Sequence, residues 1–319
     1  EKFLMLNHDA SFCNIHGWII LDKPKELSSS KAVLKAKKIL NVKKAGHAGT
    51  LDPFATGVLP VALGEATKTI RFLVEKDKKY KFTVEWGKET DTDDIKGRVI
   101  KYSDVIPIKR NILKKIKLFK GITNQIPPNY SAIKVNGKRA YKIAREIYEH
   151  GNKDLKINYK SRTIRIDKFN IINHKGAETE FEITCSKGTY IRALARDLGR
   201  SLGTLAYVKQ LKRLAVGKFN LENAISLDYL ENLKHKDEIN NLVLSFSDVL
   251  DDIPVLQINN KESEMIKFGQ RLDVGEKIIK SDFKNYESAI FLICSQTTPI
   301  AFGRLEKDEI QPIKVFNFD

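Results

Sequence analysis

Apolar positions along this chain recur with two periods, and the periods divide it into elements. The run Trp18–Leu21 predicts a short strand, followed by a turn at Pro24. Ser28 to Ser30 offer N-cap candidates, and Val33, Ala36 and Leu40 share one face of a helix expected over residues 30–40. Tyr80, Phe82, Val84 and Trp86 alternate with polar residues, the period of a half-buried strand. The acidic stretch GKETDTDDIKG then reads as a loop entering a strand near residue 98. Residues 107–119 read as a helix, and a loop from residue 121 precedes another helix from about residue 138. RTIRIDKFNII and EFEITC predict strands, the second with Phe181, Ile183 and Cys185 on one face. Ile191, Leu194, Ala195 and Leu198 then recur at helical spacing. Long strands with irregular helical insertions predict a mixed α+β sheet, not a regular βαβ array.

After LENLKHKDEINN, which is charged and weakly patterned, a boundary is expected near residues 240–253. The remainder (MIKFGQRLDVGEKI, YESAIFLICSQTTPIAFGRLEKDE, IKVFNF) reads as short strands with polar turns, a small β-barrel of about seventy residues.

Charge narrows the class of partner. The 319 residues carry a formal net charge of +16, which points to a polyanion and most simply to nucleic acid. A lysine-rich solvated surface is the competing explanation. Cys13, Cys185 and Cys294 form no CxxC pair, so neither a zinc site nor a disulfide framework is expected. No apolar run approaches the ~18 residues of a membrane span, and the first residues lack the order of a signal peptide, so a cytoplasmic protein without membrane partners is expected.

Glycine-rich turns invite a nucleotide cofactor, but the P-loop pattern fails at GEATKT, where Thr67 stands in place of the second glycine. DTDDIKG fails as a calcium loop, because Lys96 and Tyr102 fall where glycine and glutamate belong. The run GHAGTLDPFATG is different. Gly46, Gly49 and Gly57 permit unusual backbone angles and Pro53 restricts Asp52, so the carboxylate sits in a rigid turn. It could simply cap local N–H groups. Arg192 tips the balance: it falls in the first turn of its helix, where the dipole disfavours a cation by roughly 0.3–1 kcal/mol. An arginine there makes sense if it holds an anion, either Asp52 as a bidentate pair or a phosphate.

GHAGTLDPFATGVLPVALGEATK resembles the catalytic motif of the TruB family, the bacterial synthases that make pseudouridine 55 in tRNA. LDKP, DKKYKFTVEWGKETDTDDIKG, QIPPNYSAIKVNGKRAYKIAR, CSKGTYIRALARDLG and LKRLAVGKF follow in the family's order. The tail resembles an RNA-binding domain related to the PUA fold. The resemblance covers residues 15–319. It implies a mixed, largely antiparallel sheet flanked by helices over residues 15–245, an RNA-binding barrel over 246–319, and an extension over 1–14. It also implies an isomerisation without cofactor or metal, in a monomer that binds the T-arm stem-loop of tRNA. Asp52 matches the essential aspartate, as nucleophile or as base for the 2′ proton. Arg192 matches its partner, and Tyr80 the tyrosine that stacks on the target base. His47 matches the histidine that enters the tRNA arm. Within the matching motifs Lys23, Asp91 and Tyr190 are expected to contact RNA, and Lys138, Arg139, Lys142 and Arg145 to supply basic surface. Lys212 and Phe54 depart from the family pattern. A tRNA-folding chaperone of the same build and a carboxylate hydrolase remain the rival functions.

Overall fold

The computed structural model describes residues 13–149, 159–233, 236–246, 248–273 and 290–318. The expected extension over 1–14 lies outside them except for Cys13 and Asn14. The first strand, β1 (Gly17–Lys23), leads to α1 (Ser29–Ile39), where the Ser28 hydroxyl accepts from the Lys31 N–H at 3.2 Å as N-cap. Then come β2 (Ala45–His47), β3 (Thr56–Leu63), α2 (Ile70–Glu75), β4 (Lys78–Trp86), β5 (Lys88–Thr90) and β6 (Val99–Tyr102). Helix α3 (Lys109–Lys117), β7 (Gly121–Gln125), the hairpin β8 (Lys134–Val135) and β9 (Lys138–Arg139), and α4 (Ala140–Glu149) follow. Next are β10 (Arg162–Lys175), β11 (Glu178–Cys185), α5 (Ile191–Ser201), β12 (Ala206–Val216), β13 (Phe219–Asn220), α6 (Leu227–Asn232) and α7 (Lys236–Leu242).

Along the main sheet the order is β1-β3-β12-β4-β11-β10-β7, with β2 on β3 and β13 on β12. Every pairing is antiparallel except β12 with β3. One face carries the alternating residues read from the sequence: Tyr80, Phe82, Val84 and Trp86 pack with Phe181, Ile183 and Cys185 and with Ile191, Leu194, Ala195 and Leu198 of α5. Phe82 stacks on Phe181 at 5.3 Å between ring centroids.

β12 breaks the simple alternation. Ala206 and Val208 face this core, a register shift follows between Val208 and Gln210, and Leu211 then joins the same core. A β-bulge re-aims side chains in this way. It brings Arg213 opposite Tyr80 across the two strands.

The C-terminal part forms a second sheet from β14 (Val255–Gln257), β15 (Leu272–Asp273), β16 (Ile290–Ser295), β17 (Thr298–Glu306) and β18 (Glu309–Val315), in the order β14-β16-β17-β18-β15. Among the described residues it is a curled half-barrel sheet of short strands, as the expected C-terminal β domain requires. Residues 260–267, expected to contribute strand at Met265–Lys267, form helix α8 (Asn260–Lys267) because Asn259 and Glu262 close a capping box. Leu292, Cys294, Phe302 and Phe316 share a core with Trp18, Ile20, Ala48 and Val58, so the half-barrel packs on the main sheet. The stretch 274–289 of the predicted barrel lies outside the described residues. Among the described residues no helix is long and apolar enough to cross a membrane.

Candidate active site

The turn from Gly49 to Gly57 is built from three sides. From α1, the Ser29 hydroxyl accepts from the Leu51 N–H at 2.8 Å and donates to the Leu51 carbonyl at 3.0 Å. From β1, the Lys23 ammonium donates to the carbonyls of Pro24, Leu27 and Pro53 at 2.8, 2.6 and 3.3 Å. From β12, Arg213 donates to the Val58 carbonyl at 2.7 Å and the Gly49 carbonyl at 2.9 Å. Gly49 and Gly57 have φ of +89° and +103°, and a Cβ on Gly57 would lie 2.2 Å from the Arg213 carbonyl oxygen. Gly46 needs no such angle; a Cβ there would meet only the terminal methyl of Ile70, at 2.8 Å.

Asp52 does not cap its own turn. Its oxygens accept from Arg192, Nε to Oδ2 at 2.9 Å and Nη2 to Oδ1 at 3.0 Å. Arg192 also donates to the Thr92 carbonyl at 2.8 Å and the Tyr130 carbonyl at 3.0 Å, and lies 3.5 Å from Asp94. Burial acts to lower the Arg192 pKa, but Asp52, Asp94 and Asp93 outweigh it, so the guanidinium is held charged. The anion inferred from the helix dipole is therefore a carboxylate of this chain.

One helical turn later Arg196 pairs with Asp93 at 3.0 Å, and after another turn Arg200 pairs with Glu89 at 3.0 Å. This ladder on α5 explains why the acidic loop folds inward: Glu89, Thr90, Asp91, Asp93 and Asp94 are all buried. Burial pushes Asp93 up to about 6 against the pull of Arg196 and Arg192. Sequence reasoning missed this role for Asp93, Asp94 and Arg196. Arginines four residues apart beside an acidic run were the available signal.

Two cavities meet at Asp52. The smaller, about 290 Å³, is lined by Tyr80, Leu211, Arg213, Lys78, Ser131 and Tyr190 together with Asp52 and Arg192. The larger, about 480 Å³, is lined by Asp52, Phe54, Asp91, Thr92, Lys96, Arg98 and Arg145. Tyr130 and Arg192 line both. A roomier cavity of about 730 Å³ beside the half-barrel is lined by no lysine, arginine or carboxylate, and so lacks the groups for this chemistry. Burial raises the Tyr80 phenol pKa and Arg213 acts against that shift, so the hydroxyl stays protonated near neutral pH. Burial and the neighbouring Arg213 bring Lys78 down to about 8. Arg213, which donates to the Val58 and Gly49 carbonyls and interacts with the Tyr80 hydroxyl, also lines this cavity.

Among the other expected contacts, Tyr190 and Asp91 each line one of these cavities. Tyr190 exchanges hydrogen bonds with the Gln125 side chain, N–H to Oε1 at 2.8 Å and Nε2 to its carbonyl at 3.1 Å. Asp91 accepts from the Arg98 N–H at 2.9 Å. Lys138, Arg139, Lys142 and Arg145 are exposed on the β9 strand and α4, and Arg139 donates to the Ala132 carbonyl. His47 ends β2 and does not line either cavity; its Nδ1 is buried without a partner, and burial and Arg213 lower its pKa. The Lys23 side chain is fully buried and its ammonium donates to three carbonyls, so in this structure it braces the Asp52 turn.

Comparison with known proteins identifies the family. Residues 37–191 match the model of the TruB family pseudouridylate synthase N-terminal domain, and residues 192–251 that of the tRNA pseudouridylate synthase B C-terminal domain. A tRNA pseudouridine synthase B from Caulobacter sp. (strain K31) is 45% identical over 258 residues, 81% of each chain. One from Ehrlichia chaffeensis is 39% identical over 307 residues, 95% of this chain and 100% of that one. The fold is shared with a chain in the crystal structure of a Cbf5-Nop10-Gar1 complex, at a TM-score of 0.69 and 24% identity over 98% of this chain and 91% of that one. The chain belongs to the TruB family of tRNA pseudouridine synthases, enzymes of the isomerase class.

Proposed function

We propose that this enzyme converts uridine 55, in the T-arm loop of tRNA, to pseudouridine, with Asp52 as the essential group. The observation that carries the reading is the Asp52 carboxylate, clamped bidentately by Arg192 where two cavities meet and lining the same cavity as Tyr80. A stacked uridine cannot reach a carboxylate held this way, so the nucleotide is extruded, at a cost of a few kcal/mol. Asp52 then attacks C1′, or takes the 2′ proton to give a glycal; in both routes the electrons of the N1–C1′ bond leave with the uracil. The detached base is an anion, and Arg213 and Lys78 border the cavity that holds it. Fixed donors of this kind are worth ~10²–10³ in rate each. The base turns and C5 bonds to C1′ as the Asp52–C1′ bond breaks, or, in the glycal route, as Asp52 returns the proton to C2′. The C5 proton is then relayed through the Tyr80 hydroxyl while N1 takes up a proton from solvent. Atoms and charge balance without a cofactor or metal.

The lysines and arginines of the β9 strand and α4 supply contacts to the phosphate backbone. We assign residues 15–245 to catalysis and 246–319 to RNA binding, in a monomer acting in the cytoplasm. Digestion of tRNA after incubation tests the reading. Pseudouridine at position 55 without change of mass supports it. Free uracil would indicate a hydrolase, and unaltered uridine with binding retained would indicate a folding chaperone.

A further inference from the structure

Ser131 lies in the segment Tyr130–Ala132 that lines the smaller cavity. Its backbone is pinned on both sides: the Tyr141 N–H donates to the Ser131 carbonyl at 3.0 Å, and Arg192 donates to the Tyr130 carbonyl at 3.0 Å. The residue is only 4% exposed, yet its hydroxyl has no hydrogen-bond partner among the described residues. Leaving a buried hydroxyl unpaired is costly, and such groups in folded proteins are exceptions that need a reason. Ser131 itself belongs to the wall of a cavity that also holds Asp52, Tyr80 and Arg192. A ligand in that cavity supplies the missing partner.

The choice of ligand group follows from the neighbours. Ser131 adjoins Tyr130, which lines both cavities and is tied through Arg192 to Asp52. Asp52 must reach C1′ or the 2′ proton, so this end of the cavity receives the ribose. Lys78, Arg213, Leu211 and Tyr80 line the rest of this cavity, the part left for the base. A serine hydroxyl both donates and accepts, which matches the 2′-hydroxyl, the group that separates RNA from DNA. We propose that Ser131 receives the 2′-hydroxyl of the extruded nucleotide and thereby selects ribose over deoxyribose. The inference rests on reading the Asp52 cavity as the place where the target uridine reacts.

The test is a double-mutant cycle between protein and RNA. In an Asp52→Asn background, where binding is measured without turnover, T-arm stem-loops carrying uridine or 2′-deoxyuridine at the target position are titrated with and without Ser131→Ala. Deoxy substitution should weaken binding about five-fold with Ser131 present, the effect of one neutral hydrogen bond, and hardly at all with Ser131→Ala. An equal loss in both proteins overturns the inference, as does a Ser131→Ala effect that couples instead to 3-methylation of the base. Ser131→Ala should not lower the melting temperature, because it removes an unpaired group; a clear fall would show a hidden internal partner and also overturn it. Tritium release from C5 by the enzyme with Asp52 and Ser131 intact separates the two levels. Its absence defeats the underlying reading, whereas its presence with an equal deoxy penalty defeats the Ser131 assignment alone.

Discussion

Replacing Arg192 by lysine keeps the charge and removes the fork. The guanidinium makes four contacts of 2.8–3.0 Å, to both Asp52 oxygens and to the Thr92 and Tyr130 carbonyls. An ammonium on a shorter stem keeps at most one of the Asp52 bonds. A charge-assisted bond is worth about 1.5–3 kcal/mol, which corresponds to roughly 10- to 150-fold in rate if the carboxylate must be held in one place. The Asp52 side chain is 32% exposed, so water repairs part of the loss and the lower end, about 10- to 50-fold, is expected. The Thr92 and Tyr130 carbonyls also lose their donor, which should lower the melting temperature by several degrees. The assay is single-turnover tritium release at saturating enzyme, with stem-loop affinity measured separately. An unchanged turnover step with a loss confined to affinity would refute the reasoning, because it would mean that Arg192 serves an RNA phosphate and not Asp52.

Tyr80→Phe keeps the ring in its core and should hold stem-loop affinity within about threefold, while the single-turnover rate falls by ~10² or more; equal rates would remove the hydroxyl from the chemistry. Burial brings Lys23 down to about 8 from its ordinary 10.5, and above that pH the neutral amine has too few N–H groups for its three carbonyls, so a pH–rate profile should fall with a one-proton limb near pH 8. Lys23→Met should lower the plateau and abolish the limb. On stability the same group acts in the other direction: its folded value is the depressed one, so its contribution is present above 10.5 and lost as pH falls through about 8, which melting at a series of pH values will show. Lys138→Gln combined with Lys142→Gln should reduce the slope of log affinity against log salt by about 1.4–1.8, and an unaltered slope would take this surface out of the RNA interface.

Much of the fold was legible because single faces are buried. Tyr80 to Trp86 and Ile191 to Leu198 show their periods plainly, and the structure places both sets in one core. The Asp52 turn was legible through its glycines and proline, and its partner through an arginine set against the helix dipole. Other features depended on contacts that no local pattern records. Arg213 reaches the site only because a bulge after Val208 changes the parity of β12. Lys23 resembles a surface lysine until its three carbonyl acceptors are seen. The acidic stretch reads from sequence only as a loop because its counter-charges, Arg192, Arg196 and Arg200, lie about a hundred residues away on α5. Helix α8 was readable from its capping box, Asn259 with Glu262, and was passed over for the strand-like residues around it. The unpaired state of Ser131 is a property of its surroundings, and sequence holds no sign of it.

The most direct test of the central claim uses a T-arm stem-loop tritiated at C5 of the target uridine, offered to the enzyme and to Asp52→Asn at equal saturation. The account predicts tritium release to solvent by the first and none by the second, with both binding the RNA alike. Release by Asp52→Asn at a comparable rate would contradict it, since the carboxylate held by Arg192 would then not be the group on which the isomerisation depends.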